Sequence, residues 1–274
     1  MGRIQSFMAS RAVVTGASSG IGRELAQLLA KEGAHVLAVA RRGERLATLA
    51  DQVAEGAGQI VPFAADVTSA DARRAIAEEV ASRWGALDLL VNCAGVGAQG
   101  RFEHASATRL RQIMEVNFFA LAELIRECLP LLRRGRHPAI VNVASVLGYY
   151  GVPFCSEYCA SKAAVRAFSQ SLRAELRREG IAVIIVSPGT TETEFFDRLL
   201  EAKESPAWPR HRGVSAQYVA RATLRAIRRR KLEIVPYFWG KLFAILTRLA
   251  PRVMDRALSS LAQSPADKTV VQKT

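Results

Sequence analysis

Short apolar runs and helical stripes alternate along most of this chain. Residues 11–15 (RAVVT) and 35–40 (HVLAVA) are nearly unbroken apolar stretches, the pattern of strands buried on both faces. Between them Ile21, Leu25, Leu28 and Leu29 recur at three- and four-residue spacing over 20–32, which predicts an amphipathic helix and makes the three segments a βαβ unit. The alternation continues with strands expected near 60–64, 87–91, 139–144, 181–187 and 232–236, and helices near 43–55, 70–84, 106–133, 157–178 and 215–230. Such an order predicts an α/β fold, a single doubly wound parallel sheet with helices on both faces.

Two segments stand outside the alternation. In 190–213, Pro206, Pro209 and Gly213 break any long helix. After Pro236, apolar residues Phe238, Trp239, Leu242, Ile245, Leu246, Leu249 and Val253 recur at helical spacing, with Lys241, Arg248, Arg252 and Arg256 gathering opposite. This predicts a C-terminal amphipathic basic helix, interrupted near Pro251 and too short in its apolar run to span a bilayer. Two placements stay open: the stripe packs on the domain, over a pocket or at a subunit contact, or it lies on an anionic membrane with Trp239 at the interface. With no internal repeat and no Pro/Gly/Ser-rich linker, the expected organisation is a catalytic or binding domain over 1–236, a helical extension over 237–263 and a frayed tail over 264–274.

Composition narrows the function classes. A length of 274 residues, half of them hydrophobic, suits one substantial core. The formal charge of +13 comes from cations scattered along the chain. They form no basic arm with interleaved aromatics, which argues against nucleic acid and leaves phosphorylated cofactors, acidic proteins and anionic membranes. Cys93, Cys128, Cys155 and Cys159 contain no CxxC pair. Free thiols in a reducing cytosol are expected, and Cys155 with Cys159, lacking histidine partners, makes a poor zinc site, so no metal is expected. The opening MGRIQSFMAS lacks the apolar core of a secretory signal, giving a cytoplasmic expectation; MGRIQS fits only the loose pattern for myristoylation.

The candidate chemistry starts where the first strand runs into TGASSGIG. Gly16, Gly20 and Gly22 there, with Ser18, Ser19 and Ile21, suit a turn whose backbone approaches a pyrophosphate and offers it the free N–H groups of a helix N-terminus. At the end of the second strand an acidic residue would bind the adenosine ribose hydroxyls and select NAD. Arg41 and Arg42 stand there instead, and guanidinium groups match the 2′-phosphate of NADP in charge and geometry. A cation pair at a helix start also opposes the helix dipole unless an anion is supplied. Further along, Tyr158 and Lys162 are four residues apart in YCASK, one turn apart on one helix face, and a cation beside a phenol favours the phenolate.

The spacing of TGASSGIG resembles the glycine motif of the short-chain dehydrogenase/reductase family, and further landmarks of that family follow in order. Asp66-Val67 resembles its adenine-contacting pair. Asn92-Cys93-Ala94-Gly95 is similar to its Asn-Asn-Ala-Gly segment, departing at Cys93, and Pro188-Gly189 with Thr193 resembles its nicotinamide-side motif. Ser145, thirteen positions before Tyr158, and Asn117 in MEVNFFA complete a tetrad with Tyr158 and Lys162. The resemblance covers 11 to about 194 and implies a Rossmann-type fold binding NADP(H). It implies that Tyr158 exchanges the proton with the substrate oxygen, Ser145 orients that oxygen, Lys162 binds the nicotinamide ribose and lowers the tyrosine pKa, and Asn117 holds a water linking Lys162 to solvent. It also implies a homodimer or homotetramer formed through the helices at 106–133 and 157–178.

The resulting expectation is a carbonyl/alcohol oxidoreductase acting on a small, hydrophobic or lipid-like molecule. Apolar Leu147, Tyr149, Tyr150, Val152 and Phe154, with Phe195 and Phe196, would either line the pocket or pack a lid or interface. A 3-oxoacyl-thioester reductase and a non-catalytic NADP-binding regulator stand as alternatives.

Overall fold

The computed structural model describes residues 4–53, 57–202 and 213–263. The expected apolar runs form β1 (Arg11–Thr15), β2 (His35–Ala40), β3 (Gln59–Ala64), β4 (Leu89–Asn92), β5 (Ala139–Val143) and β6 (Ala182–Val186). Between them lie α1 (Gly20–Lys31), α2 (Gly43–Asp51), α3 (Ala70–Trp84), α4 (Arg109–Met114), α5 (Ala120–Leu132) and α6 (Ser156–Glu175). Short β7 (Thr191–Glu192) and β8 (Val214–Ser215) pair with each other, followed by α7 (Ala216–Arg228), β9 (Glu233–Ile234), α8 (Phe238–Leu249) and α9 (Pro251–Gln263).

The main sheet is parallel in the order β3-β2-β1-β4-β5-β6-β9. Strand order reverses between β1 and β4, which opens a crevice at the strands' C-terminal ends. The pleat divides each strand between two cores: Ala12 and Val14 join one with Leu25, Leu29, Val219 and Leu224, while Val13 joins the other with Ile76, Val80, Leu124, Val165 and Leu172. Thus α1 and α7 cover one face and α3, α5 and α6 the other, as the doubly wound expectation requires. Ser69 and Ser215 cap α3 and α7 by accepting from the N–H groups of Ala72 and Tyr218.

One sequence expectation is corrected, and one that was left open is narrowed. The single helix expected over 106–133 is α4 and α5 joined by a π-helical turn over Glu115–Phe119, which contains Asn117. The Asn117 side chain is held by groups outside its helix, and a widened turn is the way a helix re-aims such a residue. Second, the C-terminal apolar stripe does not face the domain. Gly240, Ala244 and Thr247 do, whereas Phe238, Trp239, Ile245, Leu246, Leu249 and Val253 are exposed. The break at Pro251 is where expected: α8 ends at Leu249 and Pro251 opens α9, a favourable first position for proline. Pro206 and Pro209 and the tail 264–274 lie outside the described residues. Among the described residues no helix is long and apolar enough to cross a membrane, and no cluster of His, Cys, Asp and Glu could hold a metal ion.

Candidate active site

The glycine turn is built by close approach. Gly16 and Gly20 have φ of +68° and +56°, a region that favours glycine. A Cβ on Gly16 would lie 2.9 Å from the Ala94 nitrogen, and one on Gly22 2.5 Å from the Gly16 oxygen. Gly20 lies against the Thr193 side chain. Thr15 Oγ1 accepts from the Cys93 and Ala94 N–H groups at 3.0 and 3.1 Å, fixing the Asn92–Gly95 segment beside the turn. Asn92 is tied to the next strand, its Nδ2 donating to Asn142 Oδ1 at 2.9 Å. The glycine turn, the segment after β4 and the segment after β6 therefore meet at one end of the sheet. Ser18, Ser19 and Ile21 sit in this turn, where the first N–H groups of α1 have no partner within the helix. This is the cradle a dinucleotide pyrophosphate requires, and a Cβ at Gly16 or Gly22 would close it.

Beside the turn, Arg42 donates to Ser18 Oγ at 2.9 and 3.2 Å, to Ser19 Oγ at 2.8 Å and to Glu194 Oε2 at 3.0 Å. Arg45 donates to the other Glu194 oxygen at 2.5 Å. Hydrogen bonds from Arg45 and Arg42 hold the Glu194 carboxyl down to about 2. The anion that the paired arginines called for is thus supplied by Glu194, which the sequence reading did not single out; nor did it single out Arg45, one turn from Arg42. The two arginines at the end of β2 are not equivalent. Arg41 has a side chain 72% exposed, 4.0 Å from Asp66 Oδ2, against 23% for Arg42. Asp66 also accepts from the Thr68 N–H and hydroxyl, while the next side chain, Val67, is buried.

The four catalytic candidates come from three elements: the end of β5, α6 and the π turn before α5. Ser145 follows β5 and accepts from the Leu147 N–H at 3.1 Å, and it hydrogen-bonds Tyr158. Tyr158 and Lys162 share a face of α6, with Nζ 5.7 Å from the phenol ring centroid. Lys162 Nζ donates to the Val143 oxygen at 3.0 Å. Asn117 Oδ1 accepts from the Val96 N–H at 2.8 Å, and Nδ2 donates to the Val96 oxygen and to Ser161 Oγ, each at 2.9 Å. Ser161 in turn donates to the Tyr158 carbonyl at 2.8 Å, a link without a counterpart in the sequence reading. Gly95 bridges the set, since a Cβ there would lie 3.2 Å from Asn117 Oδ1 and 3.5 Å from Lys162 Nζ. Pro188 accepts from the Val146 N–H at 2.9 Å, and Gly189 packs under Tyr237.

Contrary to the expectation that Lys162 lowers it, the Tyr158 phenol is pushed above its ordinary value by burial, and it is the hydrogen bond with Ser145 that acts the other way. Lys162 is itself buried and pushed down to about 8. An unfolded lysine titrates near ~10.4, so between pH ~8 and ~10.4 the unfolded chain holds the proton on this residue and the folded chain has lost it. Stability therefore gains a rising contribution with pH across that window, and the cost of the buried charge is present in full below it. Urea unfolding of wild type and Lys162→Met should show a stability difference that shrinks from pH 8 to 10; parallel curves would contradict the burial argument.

A buried ion pair supports the start of α6. Arg109 Nη2 lies 2.7 Å from Glu157 Oε1, both nearly inaccessible, and Nη1 reaches Glu201 at 3.4 Å. Burial acts to raise the Glu157 carboxyl, but hydrogen bonds from its own N–H, Ser156 and Arg109 hold it below its ordinary value. The three residues are far apart in sequence, and only the fold joins them.

The apolar residues expected around the substrate divide. Phe195 stands beside the Tyr158 ring with centroids 5.5 Å apart, and with Leu199 it presses on Gly97. Leu147, Tyr149, Tyr150 and Val152 line a cavity of about 430 Å³ with Cys159, Ala160 and Ala163, but neither Ser145 nor Tyr158 is in its wall. Tyr149 donates to Glu233 at 2.6 Å, Tyr150 to the Pro251 oxygen and Asp255, and Val152 packs with Leu258. Those residues seat the C-terminal elements, so the cavity is distinct from the catalytic cleft. Phe154 has φ +65° and faces Arg101, and Phe196 is exposed.

The family model for short chain dehydrogenases matches residues 10–204. A short chain dehydrogenase of Pseudocercospora fijiensis is 37% identical over 185 residues, 67% of this chain and 60% of that protein. A 3-ketodihydrosphingosine reductase of Bacteroides thetaiotaomicron is 34% identical over 68% of this chain and 65% of its own length. The ketoacyl reductase HetN of Nostoc is 32% identical over 89% and 86% of the two chains. Among solved structures, a short chain dehydrogenase/reductase from Burkholderia phymatum in complex with NAD has a TM-score of 0.81 at 26% identity, covering 92% of this chain and 97% of its own. One from Burkholderia cenocepacia in complex with NADP has a TM-score of 0.77 at 27% identity, covering 93% and 99%. The motif order, the sheet topology and these matches agree: the chain belongs to the short-chain dehydrogenase/reductase family.

Proposed function

We propose that this protein is an NADP(H)-dependent oxidoreductase interconverting a carbonyl and a secondary alcohol on an apolar substrate, with Tyr158 as the acid/base. The observation that carries this reading is the convergence of Asn117, Ser145, Tyr158 and Lys162 beside the glycine turn. The turn with Gly16, Ser18, Ser19, Gly20, Ile21 and Gly22 would hold the pyrophosphate, Asp66 and Val67 the adenine, and Asn92, Ala94, Gly95, Pro188, Gly189 and Thr193 the nicotinamide half. The cofactor, when bound, supplies or accepts the hydride.

The protein's own part is proton control and positioning. Tyr158 Oη gives its proton to the substrate oxygen in reduction and takes it back in oxidation. Ser145, its Oγ oriented by the Leu147 N–H, hydrogen-bonds that oxygen. Lys162, anchored on Val143, places positive charge near the phenol and favours the phenolate left after transfer. Asn117 fixes the backbone at Val96 and, through Ser161, the turn of α6 that carries Tyr158. Phe195 beside the phenol makes the approach apolar. Two relatives named as ketoacyl and 3-ketodihydrosphingosine reductases keep a 3-oxoacyl thioester beside a free lipid-like ketone as candidate substrates.

Preference for NADP(H) rests on Arg42, already bonded to two serine hydroxyls and to a carboxylate that a 2′-phosphate would displace. Following NADPH oxidation with hydrophobic ketones and 3-oxoacyl thioesters tests the activity; tight NADPH binding without turnover on either set would favour a regulator. A charge-assisted hydrogen bond contributes about 1.5–3 kcal/mol, so Arg42→Ala should weaken NADPH binding by about 10- to 100-fold. NADH binding should change by less than about threefold, because no 2′-phosphate is lost. Equal losses for both cofactors would sink the NADP assignment.

A further inference from the structure

The C-terminal helix α8 is apolar on the side where a surface helix carries its charges. Gly240, Ala244 and Thr247 face the domain, and α8 lies so close that a Cβ on Gly240 would meet Val146 at 2.8 Å. On the opposite side, at 100° per residue, Phe238, Ile245 and Leu249 point the same way. Phe238 is 70% and Leu249 78% exposed, and Trp239, Leu246 and, on α9, Val253 extend the patch. Packing on the domain therefore does not account for it.

Charge decides what fits this patch. Over 237–263 the cations are Lys241, Arg248, Arg252 and Arg256, and the sole carboxylate is Asp255, engaged by the Tyr150 hydroxyl at 3.3 Å. The sequence pattern suggests that Lys241 and Arg248 lie opposite the apolar stripe, but at 100° per residue they flank its exposed side. A second copy docked by two-fold symmetry would therefore bring these like charges together around the same apolar patch. An anionic bilayer instead receives the apolar side chains in its interfacial region and pairs the cations with its headgroups. Trp239 at the start of α8 is the residue type that settles at that interface, and Phe238 beside it belongs to the apolar face such a helix buries. We propose that α8, with the start of α9, docks this protein onto an anionic phospholipid membrane.

The helix that carries this surface packs, by its other side, next to the catalytic residues. Val146, against Gly240, follows Ser145 directly, and Tyr237, the residue before α8, packs on Gly189. Docking there would place the cleft near a membrane-dissolved apolar carbonyl compound.

The test uses the full chain with phosphatidylcholine vesicles, either pure or containing phosphatidylglycerol, read by co-sedimentation with light scattering of the free protein alongside. Binding to the anionic vesicles at low salt is expected, weakening as salt screens the cations. The double variant Ile245→Ser with Leu249→Ser keeps every charge and both residues are exposed, so folding, checked by circular dichroism, should persist. Each loses an apolar side chain from the interface, and vesicle affinity should fall by at least about tenfold, with NADPH binding unchanged. Three outcomes would overturn the proposal. They are no sedimentation of the wild type with anionic vesicles, equal binding by the variant, and a wild-type oligomer that the variant turns into monomer without any vesicle binding. None depends on turnover, so the docking surface and the proposed reaction can fail separately.

Discussion

Tyr158→Phe is expected to lower turnover by about 10²–10⁴-fold, the span attributed to general acid/base catalysis, while NADPH affinity changes little. The substitution keeps the ring that packs against Phe195 and removes only the hydroxyl bonded to Ser145. Ser161, the hydroxyl one turn further along α6, cannot replace it, because it is engaged with Asn117 and the Tyr158 carbonyl. Steady-state rates alongside fluorescence titration of NADPH measure the two effects separately. Retention of more than about a tenth of wild-type turnover would remove Tyr158 from the role proposed for it.

The largest expected effect on stability is at Arg109→Ala. Glu157 would then be left as a buried carboxylate without its guanidinium, a change that costs about 3–5 kcal/mol. For a chain of this size each kcal/mol lowers Tm by about 2–4 °C, so a fall of roughly 6–20 °C is expected. The sign depends on which partner remains. Arg109→Met combined with Glu157→Leu removes both charges and fills the volume, and should recover much of the loss, because the desolvation of two ions disappears with their attraction. Thermal unfolding of the two variants checks both statements, and a fall of less than about 2 °C for Arg109→Ala would show that the pair is solvated in solution. Glu157 immediately precedes Tyr158, so this pair also anchors the first turn of the helix on which the proposed acid/base sits.

The proposed preference for NADP(H) carries a corollary at Glu194. Its carboxylate occupies the guanidinium groups of Arg42 and Arg45 and belongs to the segment that brings Phe195 to Tyr158. A 2′-phosphate and Glu194 therefore contend for the same donors, and the segment after β6 is linked to the cofactor through them.

What was legible in the sequence is what local pattern controls. Unbroken runs such as HVLAVA bury both faces, and their alternation with amphipathic stripes such as Ile21, Leu25 and Leu29 puts helices on both sides of the strands, so the fold class follows from period and order together. The glycine turn and Tyr158 with Lys162 were legible for the same reason: each is a short-range arrangement whose geometry is set by neighbours within one turn of chain. Tertiary structure decided everything that depends on which distant segments meet. Asn117 is aimed by a π turn that answers to Val96 and Ser161, and no helical periodicity encodes that demand. Arg41 and Arg42 are identical in composition, and only the path of the chain past Ser18 and Glu194 makes one a ligand of the turn and leaves the other in solvent. Arg109 and Glu157 become a buried pair, with the half-buried Glu201 at its edge, because α4, α6 and the segment after β6 converge. The C-terminal stripe was read correctly as helical, but a period fixes only which residues share a face; whether that face turns toward the core or away from it was decided by Gly240 and Ala244, whose small side chains let the other side of α8 approach the domain.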